Sequence, residues 1–196
     1  TNAQIYIESN GFNYLAAKYA AEFFDDLLIV HIARDPRDFV VSYSNWVEGR
    51  TASKLANRMP FWHVTGPAIK KITRSTWDKM SNFRKFIWYW SFKNNFIEKE
   101  YNNGQYNYFF IRFEDLIDQD KRKTSLAKLL GYLGLQYENH LYGYFDNKQN
   151  QSHANSLYRW PKWNKEMAIT LHRQCGTLMK KYNYGVEVEW RTKVGC

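Results

Sequence analysis

The chain has 196 residues, 44% of them hydrophobic, and a net charge of +9, which excludes a disordered tail and supports a single domain, residues 1–196, with its own core. Two cysteines, Cys175 and Cys196, exclude a disulfide framework, five scattered histidines show no metal-ligand spacing, and no run of about 18 apolar residues could span a membrane. The basic balance favours anionic partners, whether nucleotides, nucleic acid, acidic glycans or a membrane surface.

Ile5-Tyr6-Ile7 alternates into Glu8-Ser9-Asn10-Gly11 and predicts a short strand followed by a turn. Residues 12–24 are Ala-rich with apolar positions at helical spacing. Residues 27–33, LLIVHIA, form a nearly continuous β-branched run, as in a parallel strand buried on both faces. Asp35-Pro36 then turns the chain, and Asp38 is placed to cap a helix reaching about Glu48. Residues 1–50 therefore read as strand, helix, strand, helix.

Residues 49–78 carry Pro60, Gly66, Pro67 and several basic side chains, and read as an insertion or lid with one or two short helices. A long helix is predicted over 79–101, ended by Asn102-Asn103-Gly104. Residues 106–113, YNYFFIRF, predict another strand, with Glu114-Asp115-Leu116 turning out of it. Leu126, Leu129, Leu130 and Leu133 mark an amphipathic helix over 122–133. A polar, aromatic loop over 139–163 and a last helix over 165–182 complete the chain.

Ligands of open α/β sheets sit beyond the strand C-termini. Three charged turns are candidates for that edge: Glu8–Asn10, Arg34–Asp38 and Arg112–Asp115. Arg34 can donate two parallel hydrogen bonds to a phosphate. Ser42, eight residues on, can face back toward it from the following helix. Asp35 and Asp38 speak against a bare anion hole. Asp38 caps, or pairs with Arg37. A phosphate site and a salt-bridged turn both stay open on these residues alone.

The segment IVHIARDPRDFVVSYSNW resembles the 3′-phosphate-binding segment of the sulfotransferases, which use 3′-phosphoadenosine 5′-phosphosulfate (PAPS). That pattern is a buried strand, Arg-[Asn/Asp]-Pro-x-Asp, then Ser. Arg34, Asp35-Pro36, Asp38 and Ser42 match it. The resemblance assigns Arg34 and Ser42 to the cofactor's 3′-phosphate. YFFIRFEDLIDQDKRKTSLAKLLGYLGL is similar to the family's strand, aromatic-Glu-Asp-Leu turn and helix, with Phe113 where Tyr is usual. SLYRWPKWNKEMAITLHRQCGTLMKKYNYG is similar to its basic loop and closing helix, which brings Arg159 and Lys162 toward the 3′-phosphate side. The implied fold is α/β, a three-layer P-loop NTPase-like architecture with a small parallel sheet flanked by helices. The implied reaction is sulfuryl transfer to a hydroxyl or amine of a small-molecule or glycan acceptor, with no metal, no nucleic acid and no membrane span.

Two departures from the family follow. Its 5′-phosphosulfate loop, with the strand that carries it, matches nothing in this sequence and is expected upstream of Thr1 or lost. Its histidine base, where present, aligns with Asn10, which cannot take a proton. Glu8 is the substitute if desolvation raises its pKa; the alternative is a Glu8 that accepts hydrogen bonds from a neighbouring turn. Two other functions compete with the enzyme. One is a non-catalytic remnant that binds 3′-phosphoadenosine. The other is a basic nucleic-acid-binding domain, although the basic residues are spread along the chain and no such motif occurs.

Overall fold

The computed structural model describes residues 5–48, 64–136, 138 and 157–196. Most of the 139–163 loop and the first half of the 49–78 insertion lie outside the described residues.

The elements in chain order are α1 (Asn13–Ala20), β1 (Leu28–Ala33), α2 (Pro36–Glu48), α3 (Arg74–Lys79), α4 (Asn82–Tyr101), β2 (Asn107–Arg112), α5 (Phe113–Ile117), α6 (Gln119–Tyr132), a 3₁₀ turn (Trp160–Lys162), α7 (Lys165–Lys181) and α8 (Val188–Val194). Local chemistry sets most helix starts. Thr73, Ser81, Asp118 and Asn164 each accept a backbone N–H from the first turn of the helix they precede.

α2 corrects the sequence reading. It starts at Pro36, whose fixed φ suits the first helical position, and Asp35 caps it by accepting the Arg37 N–H at 2.8 Å. Asp38 lies inside the first turn. The strand expected over Ile5–Ile7 is not formed. Residues 5–10 are irregular and exposed, and three residues without a paired neighbour cannot hold a strand. α1 also stops four residues short of the expected helix end, at Ala20.

The two strands pair in parallel, from Leu28 opposite Asn107 to Ala33 opposite Arg112. Side-chain alternation divides their neighbours between two faces. On one face Ala33 and Phe110 join α4, α7 and α8 in a core built on Trp90, Leu171, Met179 and Trp190. On the other, Val30, Phe109 and Ile111 pack against Leu126 and Leu129 of α6. Helices therefore pack on both faces of a small parallel sheet, but β1 is not buried on both faces as expected: Leu28 and Ile32 are 39% and 49% exposed. α4 runs through two clusters, with Phe86, Ile87 and Trp90 in the first and Ile97 and Tyr101 in the cluster around Tyr14 of α1.

His31 is the polar exception inside β1. Its ring nitrogens meet Tyr108 Oη at 2.7 Å and Asn94 Oδ1 at 2.8 Å. Burial pushes its pKa down to about 4, so it is neutral and structural at physiological pH. Both cysteines are free thiols, Cys175 buried and Cys196 exposed.

Candidate functional site

The parallel register places the ends of β1 and β2 side by side, so Arg34 and Phe113 leave the sheet as neighbours. The Arg34 guanidinium lies 5.2 Å from the centroid of the Phe113 ring. That distance is within cation–π range. The Arg34 carbonyl accepts Trp90 Nε1–H at 2.9 Å, which fixes the backbone at the mouth of the loop.

The next turn supports the loop from behind. Asp35 N–H donates to Glu114 Oε1 at 2.9 Å. The Tyr184 hydroxyl donates to Glu114 Oε2 at 2.6 Å and stands 3.1 Å from the Ala33 carbonyl. Burial, with the Glu114 carboxylate beside it, holds the Tyr184 phenol far above its usual pKa, so it stays a donor. Three segments distant in sequence, around residues 34, 114 and 184, thus meet at the C-terminal edge of the sheet.

Most charges at this edge are already committed. Arg37 is 2% exposed. It donates to both Asp35 oxygens, at 2.6–3.1 Å, and to both Glu187 oxygens, at 2.8 and 2.9 Å. Its guanidinium lies 4.7 Å from the Trp160 ring and 4.9 Å from the Trp190 ring. Burial pushes the Asp35 carboxyl up against the opposing pull of Arg37, while Arg37 holds Glu187 below the usual carboxylate range. Arg112 donates two bonds to Asp115, at 2.8 and 2.5 Å, and one to the Asn183 carbonyl at 3.2 Å. Arg112 in turn lowers the Asp115 pKa. Arg34 differs: among the described residues no carboxylate pairs with its guanidinium.

Ser42 lies in the second turn of α2, half-buried, on the face it shares with Asp38 and Asn45. Asn45 Oδ1 accepts the Leu157 N–H at 3.1 Å, so the segment entering the 3₁₀ turn is tied to that face. Trp160, inside the turn, covers Arg37. Arg159 is exposed at the head of the turn, and Lys162 is exposed at its end, 5.1 Å from the Tyr158 ring. The structure therefore brings Arg34, Phe113 and the base of the Arg159–Lys162 turn to one end of the sheet.

No family model matches the chain, and no curated protein and no solved structure matches it.

Glu8 stands apart. It is exposed, and it accepts the Tyr6 hydroxyl at 3.0 Å. The strand end that would have carried it to the sheet edge does not exist, which removes the positional argument for it as a base. Asn10 shapes the turn ahead of α1, its side chain accepting the Phe12 N–H at 3.0 Å. The N-terminus of α2 is also less open than expected. Asp35 occupies its first N–H and Asp38 adds negative charge, so an anion here would be held by side chains rather than by the helix end. Among the described residues, no group of three His, Cys, Asp or Glu is placed to hold a metal, and no helix is long and apolar enough to cross a membrane.

Sequence reasoning did not find the Arg37–Glu187 clamp, the support from Glu114 and Tyr184, or the tryptophan walls. Glu114 and Tyr184 both lie in segments singled out by pattern, but their joint role depends on a meeting 70 residues apart in sequence. Nothing near Glu187 marks it as a partner for a residue 150 positions earlier.

Proposed function

We propose that this edge of the sheet binds the 3′-phosphate side of a 3′-phosphoadenosine nucleotide, within a P-loop NTPase-like fold that serves sulfuryl transfer from PAPS to a hydroxyl or amine acceptor. One observation carries the reading: Arg34 is laid on Phe113 at the strand C-termini with no carboxylate partner among the described residues, in a loop whose other arginine is doubly paired. Arg34 supplies the two parallel donors, Ser42 a hydroxyl donor from α2, and Phe113 the platform that orients the guanidinium. Arg159 and Lys162 contribute long-range positive charge from the exposed turn. A phosphate gains most from a cation that no carboxylate already neutralises, and among the described residues Arg34 meets that condition where Arg37 and Arg112 do not.

A second reading, a 3′-phosphoadenosine-binding module without turnover, is favoured by the position of Glu8. Glu8 is exposed, accepts the Tyr6 hydroxyl and lies on no strand that would carry it to the sheet edge. Turnover in the first reading also requires an anion loop for the sulfuryl group, and no segment of the sequence matches one.

Titration with 3′,5′-adenosine diphosphate, alongside 5′-adenosine monophosphate, tests the site. Binding that needs the 3′-phosphate and falls at least about tenfold in Arg34→Ala and in Ser42→Ala supports it. Equal binding of the two nucleotides, or of wild type and both variants, overturns it. Preferential binding of an oligonucleotide would instead point to a nucleic-acid module. Transfer of labelled sulfate from PAPS separates the enzyme from the binding module.

A further inference from the structure

A two-stranded sheet has two open edges, and β2 shows one of them in a distinctive setting. A cleft of about 400 Å³ is lined by all four of Phe109–Arg112, together with Lys128 of α6 and Lys181 at the end of α7. Successive strand side chains point to opposite faces, so a cleft touched by four in a row runs along the strand edge. α6 and α7 pack on opposite faces of the sheet, which requires the same position. β1 pairs with the other edge of β2, and no described segment pairs with this one. Its backbone donors and acceptors are a template for a further strand. The cleft carries Arg112, Lys128 and Lys181 against the single carboxylate of Asp115. Arg112 is spent on Asp115 and Lys181 also meets Glu98, which leaves Lys128 exposed at the rim.

The molecule also presents a strand-patterned segment without a sheet. Ile5, Tyr6 and Ile7 are 44%, 85% and 62% exposed. Tyr6 and Glu8 meet through a side-chain hydrogen bond, the i,i+2 relation of one strand face, which leaves Ile5 and Ile7 for the other. The segment ends on an exposed carboxylate, opposite in sign to the cleft.

We propose that the open edge of β2 takes residues 5–8 of a second copy of this chain as a third strand, with Glu8 set against the Lys128 side of the cleft. The backbone supplies the pairing, the isoleucines bury their exposed surface, and the charge fixes which end goes where. Arg34 and Ser42 take no part, so this inference stands or falls separately from the nucleotide site.

Sedimentation and amide hydrogen exchange of the full chain, from about 10 μM to about 1 mM, test it by mass action. The expected result is a dimer at high concentration, with exchange at Phe109–Arg112 slowed at least about tenfold relative to the dilute sample. Ile7→Pro, which removes a backbone donor from a segment outside every helix and strand, abolishes both effects, and Lys128→Glu weakens them. A monomer throughout, with fast exchange at β2, overturns the proposal and leaves the lysines as guards of a bare edge. Slow exchange that ignores concentration places the strand within one chain and overturns it as well. So does a dimer that survives Ile7→Pro, or protection that appears at β1 instead.

Discussion

Arg37 and Arg34 lie three residues apart in one loop, and the structure treats them in opposite ways. Arg37 is buried between two indole rings and donates to two carboxylates. Arg34 is half-buried, rests on one phenyl ring, and has no carboxylate partner among the described residues. A charge removed from water needs counter-charge and hydrogen bonds, and Arg37 has both from two carboxylates. A charge left at the rim keeps most of its hydration and can exchange water for a ligand. The contrast separates a residue that builds the loop from one the loop displays.

Substitutions at four positions break or sharpen that contrast. Arg37→Ala has the largest expected effect. It leaves Asp35 buried without its counter-charge and opens a gap between Trp160 and Trp190, and chemical denaturation should show a loss of about 3–5 kcal/mol. Arg34→Ala comes next and acts on a different property. Stability should stay within about 0.5 kcal/mol of wild type, while the thermal stabilisation given by 3′,5′-adenosine diphosphate disappears. If Arg34→Ala unfolds the protein as readily as Arg37→Ala, the division between the two is wrong.

Phe113→Ala should cost the nucleotide affinity a few-fold, in line with about 0.5–1 kcal/mol for an exposed cation–π contact, because Arg34 keeps its charge but loses its platform. Isothermal titration would measure it, and Phe113→Tyr should retain the affinity. The smallest effect belongs to Glu187→Gln. The Glu187 side chain is 45% exposed, so solvent screens its bond to Arg37 and the loss at neutral pH should stay under about 1 kcal/mol. Its carboxyl is held below the usual value of 4.5, first by the hydrogen bonds from Arg37. The stability it contributes is therefore present above about pH 4.5 and lost as the pH falls through the lower folded-state value. Denaturation curves of wild type and variant should differ at pH 7 and converge in acid.

What the sequence disclosed follows the range of the interactions. The run 27–33 and the run 106–113 became β1 and β2 within one or two residues, because unbroken apolar β-branched and aromatic stretches between turns have few alternatives. α4, α6 and α7 carry caps and apolar stripes that lie within one segment, and they too were legible. Ile5–Ile7 has the right pattern and no strand, since a strand depends on a neighbour that the pattern cannot name. α8 was missed: seven residues with a single buried anchor, Trp190, give too little period to detect. At the candidate site, Arg34, Phe113 and the 159–162 turn were legible as motif positions. The contrast between Arg34 and Arg37 was not, because Arg37 is held by Glu187, 150 residues away in sequence.

The link from Tyr184 to Glu114 and Ala33 has a consequence for the order of events during synthesis. A ribosome releases the RDPRD loop well before the segments that support it, and adds residues at about 5–20 per second. The phenol that braces this loop, and the carboxylate that completes the Arg37 clamp, emerge some 150 residues later. Until then the nascent loop has neither brace nor clamp. This edge of the sheet is thus synthesised well before it can take shape, and its completion marks the point at which the C-terminal segment has docked.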